Sequence, residues 1–66
     1  SDMMSSVTVR EMIRVMVAEE DPAHPLKDEE IAARLLTKQV VIARRTVAKY
    51  RAEEHIPSAT QRKRFF

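Results

Sequence analysis

The chain has 66 residues with no glycine, no cysteine and three prolines, and a third of it is charged, with a net charge of +2. That length holds one small core, and without cysteine neither a disulfide nor a thiolate zinc site can support it. The charge is polarised: residues 1–42 carry five Lys/Arg against eight Asp/Glu, a balance of −3, while residues 43–66 carry seven against two, a balance of +5. A split of this kind points to an anionic partner at the C-terminal half, nucleic acid first, against the plain alternative of a solvated basic face.

Residues 1–5, Ser1-Asp2-Met3-Met4-Ser5, lack the basic and apolar regions of a signal peptide and read as a flexible N-terminal segment or a cloning scar. From Ser6 to Glu20 the apolar residues Val9, Met12, Ile13, Met16 and Val17 recur at spacings of three and four, which predicts one buried helical stripe. Ser5 or Ser6 can cap it through a short hydroxyl. Pro22 and Pro25 make 20–26 a connector, because proline disfavours helical geometry in the residue before it. His24 lies there and is expected to face solvent.

A second helix is predicted from Asp28 to Lys38, with Asp28 as N-cap, Glu29 and Glu30 complementing the helix dipole, and Ile31, Ala32, Leu35 and Leu36 as its apolar face. Adjacent side chains on a helix point about 100° apart, so Glu29 and Glu30 do not form a general acid/base pair. The β-branched run Val40-Val41-Ile42 is poor helix material and suits a short extended turn with buried side chains. A third helix follows from Ile42 or Ala43 to about Glu54, and Pro57 ends any continuation. Residues 58–66, containing Arg62-Lys63-Arg64, show no periodicity and read as a flexible basic C-terminal tail.

Two helices across a tight turn, the second of them basic, have the order of a helix-turn-helix, with the first helix closing the core from behind. The expected fold is therefore all-α: a three-helix domain over residues 6–57 containing a helix-turn-helix, followed by the tail at 58–66. On a wheel of 100° per residue, Ala43, Val47, Tyr50 and Glu54 share the inward side to within about 40°. Arg45, Ala48, Lys49 and Ala52 take the opposite side, Arg44 and Arg51 flank it, and Thr46 lies on the other shoulder.

This layout suits a DNA major groove. Arginine pairs bidentately with guanine O6 and N7, so a helix opening on Arg44 and Arg45 predicts a guanine-rich target. Ala48 can meet a thymine methyl and Lys49 a base or phosphate. Arg51, Arg62 and Lys63 are candidates for backbone phosphate. The competing reading is a small helical interaction module that docks an acidic partner through the same basic face. An enzyme is not expected, because there is no nucleophile–base pair, metal-ligand set or glycine-rich phosphate loop. His24 and His55 have no ligand-spaced partner, so neither cofactor nor metal is expected. No apolar run is long enough for a membrane span, and without a heptad seam or second apolar face the chain is expected to be a monomer.

The string Ala43-Arg44-Arg45-Thr46-Val47-Ala48-Lys49-Tyr50-Arg51 is, letter for letter, similar to the RpoN box of the sigma-54 family of bacterial RNA polymerase sigma factors. The resemblance extends through Ser5-Ser6, Ala18 to Pro22, Pro25-Leu26, Asp28 with Ile31-Ala32, Ile56-Pro57-Ser58 and Gln61-Arg62-Lys63, and so covers the chain from about Ser5 to its end. It implies the C-terminal domain of that family, which recognises the GG step of the −24 promoter element by placing the box helix in the major groove. It also implies double-stranded promoter DNA as partner, and core RNA polymerase and an ATP-driven activator as partners of N-terminal regions that this chain lacks. The implied location is the bacterial cytoplasm, at the nucleoid. Two departures stand out: Lys27 replaces a capping serine, and the turn between Leu36 and Ala43 lacks the usual glycine and is about one residue shorter.

Overall fold

The computed structural model describes residues 6–63, and the expectations for residues 1–5 and for Arg64-Phe65-Phe66 lie outside them. Four helices follow in chain order: α1 (Ser6–Glu19), α2 (Asp28–Thr37), α3 (Arg44–Glu53) and α4 (Ala59–Arg62). The first three form the expected all-α, three-helix domain, with α3 packed on both α1 and α2.

Among the described residues the core is small and wholly apolar. It comprises Val9 and Ile13 of α1, Leu26 of the connector, Ile31 and Leu35 of α2, Val40 of the turn and Val47 of α3. Ile13, Ile31, Leu35 and Val47 are completely buried, each contributing roughly 1.5–3 kcal/mol on leaving water. Met12, Met16, Val17, Ala32, Ile42, Tyr50 and Ile56 pack around them, so the whole stripe read for α1 faces inward.

Two residues expected inside are outside. Leu36 is 58% exposed and Val41 is 81% exposed, whereas of the β-branched run Val40 is buried and Ile42 packs partly buried against the core. Ala43, placed on the inward side of the wheel, is also exposed and serves as the N-cap of α3, with no side-chain cap.

The glycine-free turn has a specific solution. The Val40 amide donates to the Leu35 carbonyl and the Gln39 amide to the Leu36 carbonyl, both at 2.9 Å. This double closure is a Schellman motif, with buried Leu35 and Val40 supplying its apolar contact. It places Gln39 in the left-handed region at φ 66°. The end of α3 repeats it: Ile56 donates to Arg51 and His55 to Ala52, both at 3.0 Å, and His55 sits at φ 60°. Left-handed geometry costs a residue with a Cβ on the order of 1 kcal/mol. Gln39→Gly is therefore expected to stabilise the domain by about 0.5–1 kcal/mol, raising its melting temperature by a few degrees in a thermal scan. An unchanged or lower melting temperature would mean that the Gln39 side chain compensates for its backbone.

The segment read as a flexible tail is helical from Ala59 to Arg62. Ser58 and Gln61 form a reciprocal capping box at 3.4 Å, each side-chain oxygen accepting from the other's amide. What seats this single turn is Arg62, described below.

Candidate nucleic-acid interface

Helix α3 divides into two halves with different surroundings. In the first half, Arg44, Arg45 and Lys49 are exposed, and none of the three makes a hydrogen bond or ion pair with another described residue. Ala48 lies half-buried between them, as does Thr46 at the first turn. Arg44, Arg45 and Ala48 share a cleft with Lys27, Asp28 and Glu29 at the start of α2, so two helix N-termini open on the same side of the molecule. Three unpaired cations around a small residue leave a surface that can approach closely to a polyanion and donate hydrogen bonds to it.

In the second half the charges are engaged. The Arg51 guanidinium turns into the domain: Nε donates to Asp28 Oδ1 at 2.9 Å, Nη2 to Asp28 Oδ2 at 3.2 Å, and Nη1 to the Ile56 carbonyl at 2.9 Å. Its side chain is only 14% exposed. Asp28 is thus the first helical residue of α2 and an ion-pair partner, rather than the N-cap. Lys27 holds the cap position with no acceptor to offer, and only the return bond of a capping box forms, from the Lys27 amide to Glu30 Oε1 at 3.0 Å. On the other flank, Glu53 and Glu54 meet Arg10 of α1 at 3.1 and 3.4 Å, and the Arg10 guanidinium stands 5.9 Å from the centre of the Tyr50 ring.

Arg62 is deeply committed within the domain. Nε donates to Glu20 Oε2 at 2.8 Å and Nη2 to Glu20 Oε1 at 2.9 Å, a bidentate pair. Nη1 donates to the Pro57 carbonyl at 2.6 Å and Nη2 also to the Leu26 carbonyl at 2.7 Å. The Leu26 amide returns a bond to Glu20 Oε1 at 2.9 Å. The two side chains are 8% and 7% exposed. Arg62 therefore clasps α4 to the connector, while Lys63 at its end is exposed. His24 is exposed in the connector as expected, its Nδ1 lying 3.2 Å from Asp21 Oδ2.

Comparison with known proteins settles the family. The profile of the family described as "Sigma-54, DNA binding domain" matches residues 1–64. The chain belongs to the sigma-54 DNA-binding domain family. It is 49% identical over 59 residues to the RNA polymerase sigma-54 factor of Acinetobacter guillouiae, covering 89% of this chain and 12% of that protein. It is 42% identical over 59 residues to the sigma-54 factor of Escherichia coli, with the same coverages. It is 49% identical over 63 residues to that of Rhizobium meliloti, covering 96% of this chain and 12% of the relative. The chain thus spans about an eighth of the length of these sigma-54 relatives. Among the described residues no group of His, Cys, Asp and Glu is disposed to hold a metal ion, and no helix is long and apolar enough to cross a membrane.

The sequence alone does not separate the two classes of cation in this domain. Their partners lie 23 and 42 residues away, beyond the reach of any helical wheel. Lys49 remains in the free class. If it holds phosphate, Lys49→Ala is expected to weaken binding equally on all duplexes and to flatten the slope of log K against log salt by about 0.9, read from titrations at several ionic strengths. An unchanged slope would remove it from the phosphate contacts.

Proposed function

We propose that this chain reads the GG-containing −24 promoter element as the C-terminal part of a sigma-54 transcription initiation factor. In this reading α2, the Gln39 turn and α3 act as a helix-turn-helix, and α3 lies in the major groove as the recognition helix. The observation that carries it is the row of exposed, unpaired Arg44, Arg45 and Lys49 around Ala48 on one face of α3. Arg44 and Arg45 are the guanine readers, because a guanidinium fork matches O6 and N7 of one base. Ala48 admits the helix backbone close to the base edges, Thr46 and Lys49 add supporting contacts, and Lys63 lies on the tail side as a phosphate contact. Arg51 and Arg62, which the sequence offers as phosphate clamps, belong to the frame that holds the reader.

The unit acts as a monomer on double-stranded DNA. Core RNA polymerase and an ATP-driven activator would engage parts of the factor outside this chain. The test is a fluorescence-anisotropy titration against two matched duplexes, one with the −24 consensus and one with its GG step replaced, at several salt concentrations. Preference for the GG duplex that persists as salt rises is the expected result. Equal and strongly salt-sensitive binding would leave only a basic patch. No binding to either duplex would favour docking of an acidic protein on the same face.

A further inference from the structure

Helix α3 contributes one fully buried residue to the core, Val47, with Tyr50 partly buried beside it. Two apolar side chains within one turn set how far a helix stands from its neighbours but hold its roll about its own axis only loosely. For a reading helix that roll matters, since about 100° separates adjacent side chains and a modest turn carries Arg45 away from a base edge. Something other than the core must fix it.

The polar contacts are placed to do so. Arg51 and the pair Glu53 and Glu54 leave α3 on opposite flanks, the first to α2 through Asp28 and the others to α1 through Arg10. The Arg51 contact is the more rigid. It is a two-pronged fork on one carboxylate, closed by a third bond to the Ile56 carbonyl, and it is largely shielded from solvent, whereas the Arg10 contacts are single-pronged and more open. Asp28 also lines the cleft that holds Arg44, Arg45 and Ala48, so the clamp sits beside the reading residues.

We infer that Asp28 and Arg51 are positioning residues that set the roll of the recognition helix and thereby the GG preference, without themselves touching DNA. This rests on the promoter-reading function proposed above. It predicts a change in a readout that simple electrostatics leaves unmoved. Asp28→Asn removes an anion next to the interface and frees Arg51, so charge alone predicts tighter binding to every duplex. Loss of roll control predicts a smaller ratio between the GG and GG-replaced duplexes, whatever happens to affinity overall.

The experiment is the two-duplex titration of the 66-residue chain, comparing the unsubstituted protein with Asp28→Asn and with Arg51→Lys, each verified as folded by far-UV circular dichroism at the assay temperature. Arg51→Lys keeps the charge but loses the fork, which guards against failure of the first variant to fold. The expected result is a fall of at least fivefold in the GG ratio for both variants, with the salt slope unchanged. A GG ratio that survives in both would overturn the inference and leave the pair a stabilising contact only. A salt slope that Asp28→Asn steepens by about one, with the ratio intact, would overturn it in favour of an Arg51 able to hold phosphate. An unsubstituted protein without any GG preference would bring down the promoter reading itself, and this inference with it.

Discussion

Glu20→Gln is expected to cost the domain about 3–5 kcal/mol, because it strands the Arg62 guanidinium in a site from which water is nearly excluded. At about 0.05–0.15 kcal/mol per residue, a domain of this size has only about 3–10 kcal/mol in total. The variant should melt at least about 12 °C below the parent in a circular-dichroism scan, or fail to fold at ambient temperature. A drop of under about 4 °C would reduce the pair to the value of a surface salt bridge. Glu20→Leu combined with Arg62→Met should recover part of the loss, since an apolar pair leaves no stranded charge. Recovery is incomplete because the Leu26 amide and the Leu26 and Pro57 carbonyls lose their partners.

Acid supplies a second readout of the same clasp. Burial raises the Glu20 carboxyl, but the Arg62 hydrogen bonds, the Leu26 amide and the guanidinium charge outweigh it and leave its pKa below the ordinary glutamate value. A folded-state pKa below the unfolded one, about 4.3, means that the unfolded chain binds the extra proton. The stabilisation is therefore complete above the unfolded value and disappears as pH falls through the folded one. Asp21, lowered first by the Ala23 amide and then by His24, adds to the same trend. Melting temperature should be nearly level from pH 7 to about 5 and fall below about 4, and less steeply in Glu20→Gln.

Arg45→Ala is the second large effect, and it falls on binding instead of stability. Loss of a bidentate guanine contact is expected to cost about 1–3 kcal/mol on the GG duplex, roughly five- to 150-fold in Kd, with little change on the GG-replaced duplex. Because Arg45 is exposed and pairs with no described residue, the melting temperature should be unmoved. Anisotropy titrations on both duplexes, with a thermal scan, check both halves. Equal losses on the two duplexes would make Arg45 a phosphate contact and pass base reading to Arg44.

Periodicity was sufficient for the three helices and for most of the core, since Val9, Ile13, Ile31, Leu35 and Val47 all follow the three-and-four spacing they show in the sequence. It failed where a position depends on a distant partner or on a helix end. Leu36 continues the apolar pattern of α2, yet it is exposed while its neighbour Leu35 in the same last turn is buried. Asp28 has the chemistry of a cap, but Arg51, 23 residues on, takes both of its oxygens. Residues 59–62 have no periodicity because one turn of helix has none to show, and Glu20 decides their place from 42 residues away. Of the candidate site, the exposed row Arg44, Arg45, Lys49 was legible from the wheel. The inward turn of Arg51 and Arg62 was not, since an arginine looks the same in sequence whether it meets a phosphate or a carboxylate.

The division of α3 into a free half and an engaged half has a consequence for how such a domain can change over time. Arg44, Arg45 and Lys49 make no hydrogen bond or ion pair with another described residue, while Val47, Tyr50, Arg51, Glu53 and Glu54 attach the helix to its neighbours. In the promoter-reading role proposed above, substitutions at the first set would alter which sequence is preferred without passing through an unfolded intermediate. Those at the second endanger the whole domain. On that proposal, new preferences are open to single-step drift at three or four outward positions, on a frame that selection must keep intact.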